Sequence, residues 1–119
     1  MATIQGLEDL APQIYRQRLI VEGYPSFQIK EAHIKTYLSE LSTVCGMVRL
    51  GDPVTSQSQE FGWAGWIHWE TSGAHFYAWD QPILFFSSDI YTCKAFSSEA
   101  AVNFTKEFFK ADRIVFKEL

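Results

Sequence analysis

Hydrophobic positions recur along this chain with two different periods, and the switches between them mark its elements. Over residues 30–45, Ile34, Tyr37, Leu38, Leu41, Val44 and Cys45 fall every three or four positions, and Gly46 follows. That spacing predicts an amphipathic helix stopped by a glycine. A second helix is predicted from Ser97, whose hydroxyl can cap it, to about Lys110. Glu99 stands at its positive end and Lys106 and Lys110 near its negative end, with Ala100, Ala101, Phe104 and Phe108 as the apolar stripe. Short dense or alternating runs predict strands over residues 14–22, 47–50, 62–71, 74–79 and 113–117, and one or two more over 83–94.

Within 62–71, alternation puts Trp63, Ile67 and Trp69 on one face. Ala64, Trp66, His68, Glu70 and then Ser72 fall on the other. Residues 51–60 are rich in Ser, Thr, Gly and Pro and are expected to form a loop. The resulting order is β-α-β-β-β-(β)-α-β. Two amphipathic helices against one mostly antiparallel sheet predict an α+β fold, a two-layer sandwich with the sheet covered on one face. No repeat or linker divides the chain, so residues 1–119 are expected to form a single domain, with 1–13 as an N-terminal arm.

Composition narrows the function. The net charge is -4 and no basic cluster exists, which argues against a nucleic-acid or anionic-membrane surface. No apolar run approaches bilayer-spanning length, and the N-terminus lacks a signal-peptide core, so a cytoplasmic location is expected. The two cysteines make no disulfide framework, and His33, His68 and His75 show no zinc-ligand spacing with them; no metal is expected. Aromatic residues make up 16% of the chain, enough to furnish an interface as well as a core, and a homodimer is expected.

Several short words then combine. Arg18-Leu-Ile-Val-Glu22-Gly-Tyr24, Gly62-Trp-Ala-Gly65, Glu70-Thr-Ser72, Trp79-Asp80 and Asp89-Ile-Tyr-Thr-Cys93 follow one another along the chain, and their order and spacing carry more than any one of them. Together they resemble the prokaryotic-type S-adenosylmethionine decarboxylase proenzymes over most of the chain. The resemblance implies a proenzyme that cuts itself before Ser72 and turns that serine into a pyruvoyl group. This group is the electron sink that pyridoxal phosphate supplies elsewhere. It also implies that Cys93 returns a proton to the substrate, a task suited to a thiol. Glu22 takes the position of the family's first-strand acid. Phe61, with Trp63 second, is the candidate to stack on adenine, and Glu70 is a further substrate-side candidate. The family assembles as dimers that share residues across each active site.

The chain departs from the family pattern at defined places. Tyr77 stands where the family has its processing histidine, Ala64 replaces the serine of its G-x-S-G word, Thr71 replaces glutamate and Gly73 replaces histidine. His75, on the same strand face as Tyr77, is the candidate replacement imidazole, with Glu70 and His68 as other stand-ins. The implied function is decarboxylation of S-adenosylmethionine for polyamine synthesis. The alternatives are a decarboxylase of ornithine or arginine, or an unprocessed homologue that binds a nucleoside-like ligand.

Overall fold

A computed structural model of the chain describes residues 6–119. The expected arm over residues 1–13 therefore lies partly outside the described residues. Residues 6–16 form no helix or strand and leave Leu7, Leu10, Ile14 and Tyr15 exposed. The elements that follow are β1 (Gln17–Tyr24), α1 (Glu31–Val44), β2 (Val54–Ser58), β3 (Gly62–Trp69) and β4 (Ser72–Trp79). After them come β5 (Phe85–Thr92), α2 (Ser98–Phe108) and β6 (Arg113–Glu118). The strands form one antiparallel sheet in the order β2-β3-β4-β5-β1-β6. Both helices lie on one face of it, α1 over β2 and β3 and α2 over β1 and β6. This is the expected α+β two-layer sandwich.

Each helix is bounded by local chemistry. At the start of α1 the Lys30 N–H donates to His33 Nδ1 at 3.0 Å, satisfying a donor that the helix leaves free. At its end Gly46 takes φ +69°, and the Gly46 and Met47 N–H groups donate back to the Thr43 and Ser42 carbonyls. That is a Schellman stop, which glycine enters without strain. At the head of α2 Ser97 Oγ accepts from the Ala100 N–H at 3.1 Å. At its tail the same stop recurs with Lys110 at φ +47°, a conformation disfavoured for a residue with a Cβ.

The core lies between the sheet and the helices. Ile34, Tyr37, Leu38 and Leu41 of α1 are fully buried, as are Leu19, Val21, Ile67, Phe76 and Phe86 beneath them. Burying each such side chain contributes about 1.5–3 kcal/mol. Phe109, just past α2, is also fully buried; it stacks on Phe76 and packs at a tilt against Tyr37 and Phe86, at 4.8–5.0 Å between ring centroids. On α2 the buried positions are Ala101, Val102 and Thr105, with Phe104 and Phe108 partly covered, so the stripe sits slightly round from the expected one. The opposite sheet face carries Arg18, Glu22, Asp89, Tyr91, His75, Tyr77, Trp66 and His68, and no helix among the described residues covers it.

Three expectations are corrected. Residues 54–58 form the edge strand β2 rather than a loop. Residues 47–50 form no strand and contribute one bridge, Arg49 to Trp69. The strand expected over 62–71 ends at Trp69, and the chain turns at Glu70 and Thr71. Ser72 therefore opens β4 opposite Trp69 and Thr92, whose side chains are buried on the helix side, instead of continuing the Ala64–His68 face. Only one strand, β5, fills residues 83–94.

Candidate active site

Two groups of candidate residues form at opposite ends of the sheet. The first surrounds the Thr71–Ser72 peptide. Register brings β5 alongside it, with Thr92 opposite Ser72. The next residue, Cys93, points its N–H at the Thr71 carbonyl oxygen, 2.9 Å away. That hydrogen bond polarises the carbonyl a serine at position 72 would attack, and negative charge arising on the oxygen would meet a donor already in place. Ser72 is half-buried with φ +137°, far outside the region L-residues favour. Such a conformation costs on the order of 1–3 kcal/mol and persists only where the surroundings enforce it.

Cys93 itself is exposed at the end of β5, whereas Cys45 is buried and its thiol is pushed up to about 12 by burial. The loop after Cys93 is anchored by Gln17. Its side-chain amide donates to the Phe96 carbonyl and accepts from the Phe96 N–H, both at 3.1 Å, as a neighbouring strand would. Lys94 Nζ caps the end of α1 through the Gly46 carbonyl at 2.9 Å.

The second group lies five residues along the strands, about 16 Å from Ser72 at the rise of a β-strand. Ala64, Tyr77, Ser87 and Glu22 stand side by side in one row across four strands. Ser87 Oγ donates to Glu22 Oε2 at 2.8 Å, fixing the carboxylate. His75 Nδ1 lies 3.3 Å from Tyr77 Oη on the same face. Asp89 sits opposite His75, and its carboxyl is raised above the ordinary range by partial burial and by the Glu22 charge, with His75 opposing the shift. Sequence reasoning missed Ser87 and Asp89; only the pairing of β5 with β1 and β4 brings them to Glu22 and His75.

Beside this row lies a cleft of about 300 Å³ between β2, β3 and β4. Phe61, Trp63, Tyr77 and Trp79 supply its rings, and Ser56, Gln57 and Ser58 its polar groups. Phe61 is half-exposed, while Trp63 leans toward the helix layer and packs against the core. Glu70 is exposed in the turn before Thr71, well away from this cleft. The structure thus brings the Cys93 main chain to the Thr71–Ser72 peptide, lines Glu22 up with Ser87 and Tyr77, beside His75, and keeps the two sets apart within one chain.

The S-adenosylmethionine decarboxylase family model matches residues 17–119, which spans every strand and helix described. The chain belongs to the S-adenosylmethionine decarboxylase family. Membership places it among carboxy-lyases, in a family that uses a pyruvoyl group. Among solved structures it is similar to the adenosylmethionine decarboxylase from Aquifex aeolicus VF5. The two share 16% identity and a TM-score of 0.73, over 89% of each chain, a likeness of fold. None of the curated proteins matches it in sequence.

Proposed function

We propose that this chain is a self-cleaving S-adenosylmethionine decarboxylase in which Ser72 is the pyruvoyl precursor. The observation that carries the reading is the strained Ser72 next to a carbonyl already bonded to the Cys93 N–H at 2.9 Å. These residues fit the group: the acyl carbon, the hydroxyl and an oxyanion donor all belong to adjacent positions. In the first step Ser72 Oγ attacks the Thr71 carbonyl carbon. The Thr71–Ser72 C–N bond breaks, the nitrogen takes the hydroxyl proton, and an ester links the two halves. Loss of the Ser72 α-proton to a base then expels the Thr71 carboxylate. Water replaces the freed nitrogen, which leaves as ammonia, and a pyruvoyl group heads the downstream chain.

A pyruvoyl group formed at position 72 would supply an electron sink for the pair left by loss of carbon dioxide. Cys93, exposed at the same strand end, returns a proton to the substrate carbon. The aromatic cleft at Phe61 and Trp63 suits a purine ring. Glu22 suits the substrate's ammonium, because Ser87 leaves one of its oxygens free. Tyr77 and His75 suit the proton transfer that the family assigns to histidine.

Cleft and cut site lie at opposite sheet ends, so one chain does not bring them together. A symmetric dimer, with the uncovered sheet faces apposed and antiparallel, lays one protomer's Ser72 end over its partner's Glu22 end. The aromatic side chains exposed on that face, Tyr77 and Tyr91, favour such burial.

Intact-mass analysis of fresh protein tests the reading. The expected products are one chain ending at Thr71 and one running from residue 72 to Leu119, blocked at its head. Carbon dioxide release from S-adenosylmethionine is expected to exceed that from ornithine or arginine. A single uncut mass in protein that turns over substrate refutes the mechanism. The replacements Tyr77 and Ala64 favour one second reading, an uncut chain that keeps the cleft and binds a nucleoside-like ligand. Calorimetric binding of S-adenosylmethionine by uncut, inactive protein would establish it.

A further inference from the structure

A strained φ at Ser72 needs something to hold it, and the fixed part is the residue before it. Three short contacts converge on Thr71. Its carbonyl accepts from the Cys93 N–H at 2.9 Å. Its Oγ1 accepts from Thr92 Oγ1 at 2.9 Å, and donates to Met47 Sδ at 3.2 Å. Each threonine hydroxyl carries one proton, which gives the chain a direction. The Lys94 N–H donates to Thr92 Oγ1 at 3.1 Å, Thr92 donates to Thr71, and Thr71 donates to the thioether.

Thr92 is fully buried, and Met47 is nearly so. In such surroundings a hydroxyl deprived of its partner is costly, so the chain resists rearrangement. The last residue of β5 and the residue after it thus hold the side chain and the carbonyl of Thr71. The acyl half of the peptide is fixed, and torsional relaxation of Ser72 cannot be absorbed by rotating residue 71.

We propose that Thr92 is a positioning residue for self-cleavage: through its hydrogen bond to Thr71 it locks the acyl half of the Thr71–Ser72 peptide in the geometry that the serine attacks. This rests on the self-cleaving reading above. It accounts for a threonine where the family's pattern has glutamate, since only a short side chain with a hydroxyl closes this relay. The relay acts before the ester exists; Tyr77 and His75 are not part of it.

The test follows cleavage of the full chain over time after cell-free synthesis, by intact mass, with and without hydroxylamine, which severs esters. Thr92→Val keeps the shape and removes the hydroxyl; it is expected to cut about tenfold more slowly, the scale of one buried hydrogen bond lost. Hydroxylamine is expected to leave that slow rate unchanged, because the ester does not accumulate. Thr92→Ser, which restores the hydroxyl, is expected to cut within about threefold of the parent chain. Thr71→Val removes the same bond from its other end, so the double variant should be little slower than either single one. If Thr92→Val lacks a cooperative thermal transition, Thr71→Val and Thr92→Ser decide the matter.

Four results overturn the proposal while the parent chain still cuts. They are Thr92→Val or Thr71→Val cutting at the parental rate, Thr92→Ser as slow as the valine, additive slowing in the double variant, or rapid hydroxylamine cleavage of Thr92→Val. A parent chain that never cuts and yields no hydroxylamine-sensitive bond overturns the self-cleaving reading, and this inference with it.

Discussion

Stability should fall steeply in alkali, and two buried groups set the slope. Tyr37 has no exposed surface, and burial pushes its phenol from an ordinary 10.0 up to about 12, against hydrogen bonds with Ser88 and Thr105 that oppose the shift. Burial pushes the Cys45 thiol from 9.0 to about 12. In the unfolded chain each group releases its proton near the ordinary value; in the folded chain each keeps it. Between those values the native state binds more protons, so stability drops as pH rises, by about 1.4 kcal/mol per pH unit per group. Cys45 acts alone from pH 9, and Tyr37 joins it at pH 10.

By pH 11 the combined loss relative to pH 8 is about 4 kcal/mol, a large part of a small domain's stability. Tyr37→Phe separates the two groups. At pH 8 the variant loses the bonds to Ser88 at 3.0 Å and Thr105 at 2.8 Å, at a cost of about 1–3 kcal/mol. Above pH 10 only the parent has a phenol to ionise on unfolding, so that deficit should shrink by about 1.4 kcal/mol per pH unit. Urea unfolding of both proteins from pH 8 to 11 measures it. A deficit of constant size across that range would refute the reasoning.

Two further predictions concern the elements around the cut site and the helix ends. Gln17→Ala removes both bonds to the Phe96 main chain and should destabilise by about 1–3 kcal/mol, with faster hydrogen exchange over residues 93–98; unchanged exchange there would contradict the anchoring role. Lys110→Gly relieves a left-handed position and should raise stability by about 0.5–1 kcal/mol in thermal or urea unfolding. A loss would mean that the lysine side chain outweighs its backbone strain.

The helices and most strands were legible because their signals are local. The stripe Ile34, Tyr37, Leu38 and Leu41 is buried as its spacing demands, and Ser97 caps where a hydroxyl precedes an apolar run. β2 was not legible: as an edge strand with four of its five residues exposed, Val54–Ser58 has no alternation to display. Met47 and Val48 look strand-like, but Met47 is buried as a loop residue under Thr71 and Thr92. The turn at Glu70 and Thr71 carries no glycine, proline or asparagine; contacts from β5 and Met47 hold it, and those are invisible in local sequence. The same holds for the site. Ser72, Cys93 and Glu22 are found by word order, but their separation follows only from strand register.

Sheet order also decides what a severed chain would be. The upstream half owns β1, α1, β2 and β3; the downstream half owns β4, β5, α2 and β6. Laid out as β2-β3-β4-β5-β1-β6, these interleave, with β1 gripped on both sides by strands of the other half. Neither fragment holds a complete layer, so folding must come before scission, and the fragments part only by global unfolding. A nick at this turn would pass unnoticed in any assay of shape.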